Sequence, residues 1–201
     1  MSDFSVSDVK AVASKGAAAM VHLEQELNDA DAKLGDGDTG GMLARVINAI
    51  DGATIASQDD VGACFSAYAR AAATATGSSL GTLFATALMT FAKETKGKPA
   101  VPVAELGRLL ELARDAMMVR GGANLGDKTV LDAIDAVAQA LEGVSDPAEA
   151  KVRAVKATAD VLTEFRGRPN KIGRARMFAD QTIGLDDPGM LAFAKLCEAV
   201  T

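Results

Sequence analysis

The chain has 201 residues and a net charge of −6, with 49% hydrophobic and 24% charged residues. That is the make-up of a globular protein long enough for one domain with a sizeable core. The acidic balance, without a Lys/Arg cluster of nucleic-acid type, argues against a nucleic-acid partner. No leader sequence and no apolar run of membrane-spanning length stands out, so a cytoplasmic protein with no membrane role is expected. His22 is the single histidine; in a helix pattern it reads as a surface or packing residue, and Ser-His-Asp or histidine–metal chemistry has almost no material.

The hydrophobic period is helical almost throughout. Ser7 is a candidate cap for a first helix whose apolar face carries Val9, Val12, Ala13, Met20, Leu23 and Leu27. Further helices are predicted over Met42 to Ile50, Gln58 to Ala73, Leu83 to Lys93, Val103 to Val119, Lys128 to Leu141, Ala148 to Phe165 and Met190 to Val200. No segment alternates with period two, and abundant Ala favours helix and close helix packing. The expected architecture is all-α: an eight-helix up-and-down bundle, one domain over residues 1–201. Cys64 and Cys197 lie in apolar helical patterns and read as buried free thiols, with no disulfide framework or zinc site.

The connections are not alike. Those after the first, third, fifth and seventh predicted helices, at residues 35–41, 77–81, 121–126 and 167–189, are glycine-rich, whereas the others are plain. Alternate connections of an up-and-down bundle share one end. The four unusual loops should therefore converge there.

Each loop has its own chemistry. In Asp31-Ala32-Lys33-Leu34-Gly35-Asp36-Gly37-Asp38-Thr39-Gly40-Gly41, three carboxylates fall within eight positions. Glycines let a tight loop fold these like charges together, and a hard divalent cation such as Mg²⁺ would neutralise them. A solvated acidic turn has the same composition. The third ligand position and terminal Glu of an EF-hand are missing. Gly77-Ser78-Ser79-Leu80-Gly81-Thr82 leads into a helix, either as an ordinary N-cap or as a phosphate cradle at the positive dipole end. Gly121 to Thr129 resembles a Walker A loop, but Asp127 separates Gly126 from Lys128 and a helix precedes it, so a P-loop is rejected and Asp127 reads as a cap. The last loop carries Arg166, Arg168, Lys171, Arg174 and Arg176, cations suited to a metal-bound polyphosphate. Asp186-Asp187-Pro188-Gly189 begins the last helix and is placed to cover a ligand.

With these motifs in order, the chain resembles the nucleotide-binding L subunit (DhaL-type domain) of dihydroxyacetone kinases. The matching stretches are Leu27 through Asp31, Asp36, Asp38 and Gly40; Gly77 to Leu83; Gly126 to Ala133; and Gly173 to Ala175 followed by Ile183, Gly184 and Asp187 to Gly189. The resemblance implies an eight-helix barrel holding ADP or ATP and Mg²⁺ at one end. Asp31, Asp36 and Asp38 would be the metal ligands. Thr39, Gly40, Gly41, Met42, Ser78, Ser79, Gly121 and Val130 would line the nucleotide. Arg174 would hold phosphate and serve catalysis, and Asp187, Pro188 and Gly189 would close on the nucleotide. The implied partners are a substrate-binding K subunit and, in some members, a phosphoenolpyruvate-dependent phosphotransferase subunit; a homo-oligomer is compatible with it. The chain departs from the family at Thr39 and Met42, where His and Asn are usual, and Asp36-Gly37-Asp38-Thr39-Gly40 also resembles bacterial fatty-acid kinases. The function expected is transfer of a phosphoryl group to a short ketose held by the K subunit. The alternatives are a non-catalytic nucleotide-binding regulatory module, or a kinase subunit for another ketose, sugar or acyl substrate.

Overall fold

The computed structural model describes residues 3–201. Eight helices account for most of them: α1 (Val6–Asp31), α2 (Thr39–Asp51), α3 (Val61–Ala75), α4 (Ser79–Glu94), α5 (Leu106–Gly121), α6 (Val130–Ala140), α7 (Pro147–Phe165) and α8 (Pro188–Val200). Short 3-10 segments cover Val103–Glu105 and Ala175–Thr182. Each helix packs on its neighbours in the chain, and α8 returns to α1, so the ring closes. The all-α architecture is as expected. Two three-residue strands are an addition: β1 (Asp3–Ser5) pairs antiparallel with β2 (Ala100–Pro102), with Phe4 opposite Val101. Three residues are too few to show an alternating pattern, which is why the sequence does not reveal them.

The interior is filled from all sides. Met20, Leu27, Val46, Ile47, Val61, Cys64 and Leu88 form one apolar cluster between α1, α2, α3 and α4, and Leu131, Ala133, Val161, Phe165 and Met190 carry the packing round through α6, α7 and α8. Val12, expected on the apolar face of α1, is 48% exposed. Cys64 is buried, Cys197 half-buried, and both are free. His22 is exposed.

Side-chain caps set the helix starts. Asp60, Ser78, Asp146 and Asp187 each accept an N–H from their own helix's first turn, and Pro147 and Pro188 follow two of them. At α1 the backbone N–H of Ser5 donates to Asp8 at 2.8 Å, so the helix starts before Ser7, whose hydroxyl instead bonds that of Ser5.

The largest boundary difference concerns glycine. Gly40, Gly41 and Gly81, read from sequence as loop, lie in the first turns of α2 and α4. Close packing explains Gly40 and Gly81, but not Gly41, where a Cβ would make only an ordinary contact. A Cβ on Gly40 would stand 1.9 Å from the Glu24 carbonyl oxygen of α1, so only glycine lets the two helices meet there.

Candidate nucleotide and metal site at one end of the barrel

Asp31 is the last residue of α1 and is 8% exposed. Its Oδ2 accepts the backbone N–H groups of Asp38 at 3.0 Å and Thr39 at 3.3 Å, folding the loop back onto the helix that precedes it. Gly37 makes the reversal at φ +75°, where glycine pays no steric penalty. As a result Asp31, Asp36 and Asp38 each offer a carboxylate oxygen, all within 4.8 Å of one another. An all-oxygen donor set this compact and this negative fits Mg²⁺, which takes carboxylates and completes its shell with water or phosphate. Asp36 forms an ion pair with Arg174, and that hydrogen bond holds its carboxyl below the usual carboxylate range.

These residues border a cavity of about 680 Å³, within the range of small-molecule sites. All four sequence-predicted loops reach it. The α4 start contributes Ser78, Ser79, Leu80 and Leu83; Ser78 accepts the Gly81 N–H at 3.0 Å. The first-turn N–H groups of a helix lack intrahelical partners, so this end favours an anion. Arg120 and Gly121 come from the end of α5, and Thr129, Val130 and Leu131 from the start of α6. Ile172 to Ala175 and Asp187 to Gly189 complete the rim.

Of the residues singled out in the sequence, Asp31, Asp36, Asp38, Thr39, Met42, Ser78, Ser79, Gly121, Val130, Arg174, Asp187, Pro188 and Gly189 all line this cavity. Gly40 and Gly41 do not: Gly40 is buried against α1, and the Gly41 N–H donates to Asn28 Oδ1 at 3.1 Å. The basic loop is also not one patch. Arg166 makes a two-pronged bond to Asp186 at 2.7 and 2.8 Å. Arg168 pairs with Glu164 and lies over the Phe165 ring, and Lys171 and Arg176 are exposed outside the cavity. Only Arg174 of the five lines it: carboxylates one loop or one helical turn away take Arg166 and Arg168, and Lys171 and Arg176 point to solvent.

Three contributors were missed. Arg120 adds a second cation to the lining; a basic residue in the last turn before Gly121-Gly122 was the available signal. Leu80, Leu83 and Ile172 provide apolar wall, and their signal was adjacency to the glycine motifs. The third is a buried polar group behind the rim. Lys128 has 0% exposure and stands at φ +63°; Thr129, with Asp132, caps α6, and not Asp127, whose carboxylate accepts the Asn124 N–H instead. Burial lowers the pKa of Lys128, against the pull of Asp187 and Asp186. Burial also raises that of Asp132, although its carboxylate accepts the N–H groups of Gly126 at 2.5 Å and Thr129 at 2.8 Å. The Asp187 carboxyl, half-buried at the rim, is pushed up to about 6 by burial, in spite of bonds from Met190 N–H and the Asn170 amide.

The DAK2 domain family matches residues 33–201. Over 90% of its length the chain is 35% identical to a D-erythrulose kinase of Mycolicibacterium smegmatis, covering 32% of that protein. It is 26% identical to the ADP-binding subunit DhaL of a PTS-dependent dihydroxyacetone kinase of Lactococcus lactis, covering 87% of this chain and 85% of that one. The chain thus spans about a third of the erythrulose kinases it matches but most of the DhaL subunit. The dihydroxyacetone kinase of C. freundii, solved with AMP-PNP and Mg²⁺, superposes with a TM-score of 0.73 at 22% identity, covering 99% of this chain and 34% of that chain, and so shares the fold. With its closed ring of eight helices and a family match over residues 33–201, this chain belongs to the DAK2 domain family.

Proposed function

We propose that this chain is the nucleotide-binding phosphotransferase component of a dihydroxyacetone-kinase-type enzyme, holding ADP or ATP with Mg²⁺ and passing a phosphoryl group to a short ketose. The observation that carries this reading is the meeting, in the lining of one cavity, of three clustered carboxylates, Arg174 ion-paired to one of them, and the open start of α4. Asp31, Asp36 and Asp38 hold the metal, which when bound neutralises the phosphate oxygens. Arg174 stabilises charge on the transferring group, and Ser78 and Ser79 orient phosphate at the helix start. Leu80, Leu83, Val130 and Ile172 suit the flat apolar face of a base, and Asp187, Pro188 and Gly189 cover it. No general base is assigned to this chain; the hydroxyl to be phosphorylated is presented by a partner K subunit. Phosphate comes from ATP directly, or from a phosphoenolpyruvate-dependent phosphotransferase subunit that recharges bound ADP.

A second reading changes only the acceptor. Erythrulose kinases of Mycolicibacterium smegmatis and Pectobacterium atrosepticum are among the relatives, at 31–35% identity, and favour a four-carbon ketose.

Calorimetric titration of nucleotide-stripped protein with ADP, with and without Mg²⁺, tests the site. Mg²⁺-dependent binding is expected in the wild type. Asp36→Asn should weaken it by about 100-fold or more, beyond the loss typical of groups that only support a metal ligand, while the helical circular dichroism stays unchanged. Equal affinity in the two proteins refutes the metal assignment.

A further inference from the structure

Lys128 is a long charged side chain with no solvent exposure, outside the lining of the cavity. Its Nζ donates to the carbonyl oxygens of Arg168 at 2.8 Å and Thr182 at 2.9 Å. These two carbonyls stand at the two feet of the segment that carries Arg174. A second set of bonds ties the same feet down. The Asn170 amide Nδ2 donates to the Lys128 carbonyl oxygen and to Asp187 Oδ2, both at 2.8 Å, and the Asn170 N–H donates to Thr182 Oγ1 at 2.9 Å. Because both partners of Nδ2 are acceptors, the orientation of this amide is set. The Lys171 N–H reaches the Asp127 carbonyl at 3.0 Å. Within the segment Ala179 sits at φ +46°, ψ −124°, a conformation that persists in a non-glycine residue only where its surroundings hold it.

We infer that Lys128 is a positioning residue for the nucleotide site: its buried ammonium clamps both feet of the 168–182 segment and so fixes Arg174 against the acid loop. This rests on the nucleotide reading above. The alternative role for a Lys-Thr pair after a glycine-rich loop is direct contact with phosphate, and zero exposure outside the cavity lining is at odds with it. A purely space-filling role is also a poor account. Burying an ammonium is costly, and an apolar chain of equal length would fill the same space without that cost. Only a multiple donor can satisfy two carbonyls from opposite feet of one segment, that of Thr182 buried and that of Arg168 partly so. The left-handed backbone of Lys128 turns the side chain inward at the cost of strain.

The test is a double-mutant cycle on the whole chain, read as the dissociation constant of Mg²⁺–ADP, together with hydrogen exchange without nucleotide. Lys128→Met should weaken binding about tenfold, the scale typical of a group supporting a binding residue. In the Arg174→Gln background it should add little, because the clamp acts through Arg174. Amides of residues 171–183 should exchange faster in Lys128→Met, with α1 to α4 unchanged. If Lys128→Met does not fold, Asn170→Ala releases the same feet and should show the same non-additivity. Full additivity with Arg174→Gln, or wild-type exchange in 171–183, overturns the inference. Absence of Mg²⁺–ADP binding in the wild type would instead refute the nucleotide reading, and the exchange result would still decide whether Lys128 clamps the segment.

Discussion

The two walls of the cavity are built by opposite means. The acid wall is local: Asp31, Asp36 and Asp38 lie within eight positions, and one of them, Asp31, folds the loop by accepting the N–H groups of Asp38 and Thr39. The cationic wall is assembled from distant pieces. Arg174 stands on a segment whose feet are held by Lys128, more than 40 residues upstream, by Asn170, and by the start of α8. The first wall needs only chain geometry and one helix end. The second needs α6, α7 and α8 to be packed before its groups meet. The acid wall should therefore form its shape with the α1–α2 pair, while the cationic wall depends on a buried polar network, in which each missing partner leaves a costly orphan.

This contrast can be broken at its most rigid point first. Gly40→Ala places a methyl group 1.9 Å from the Glu24 carbonyl, forcing α2 off α1 and opening the acid loop. A loss of about 3 kcal/mol is expected, the upper end of overpacking penalties, because backbone and not a pliable side chain must move. Urea unfolding monitored by circular dichroism measures it, and a loss below about 1 kcal/mol would mean that the helix pair is compliant there.

The cationic wall should respond to pH instead. The Asp187 carboxyl is raised to about 6, from an ordinary value of 3.8, chiefly by burial. Between those values the folded chain binds the proton that the unfolded chain has released, so this group's contribution to stability falls as pH rises from about 4 to 6. Asp187→Asn removes the titration. The unfolding free energy of the wild type minus that of the variant should drop over this window and level off above pH 7. The drop should be on the order of 1–2 kcal/mol, since Asp187 is only partly enclosed and solvent screens part of the shift. A flat difference would show that the surrounding donors already compensate the charge.

Arg176 sharpens the comparison by doing little. It is exposed and outside the cavity although it lies two residues from Arg174. Arg176→Ala should leave Mg²⁺–ADP affinity within about twofold, the spread of ordinary surface substitutions. A large loss, seen by fluorescence titration with a nucleotide analogue, would restore the picture of one continuous basic patch.

Features that depend on neighbours along the chain were legible in the amino-acid order. Helical periodicity placed the eight helices, because the period acts over one or two turns, whereas the caps read at Ser7 and Asp127 proved to be Ser5 and Thr129. The alternation of glycine-rich and plain connections located the site at one end, since antiparallel helices put alternate loops together. The compact acid loop was legible for the same reason. The tertiary structure alone decided that Gly40 is a packing contact: it looks like a loop residue until the Glu24 carbonyl of α1 is seen 1.9 Å from where a Cβ would stand. It also decided which cations face the cavity. Arg166 and Arg168 are drawn to Asp186 and Glu164 and away from it, whereas Arg174 and Arg120 are left on the rim. It alone placed Lys128 and Asn170 behind that rim, because a buried polar network is defined by partners brought together in space and leaves no period or motif along the chain.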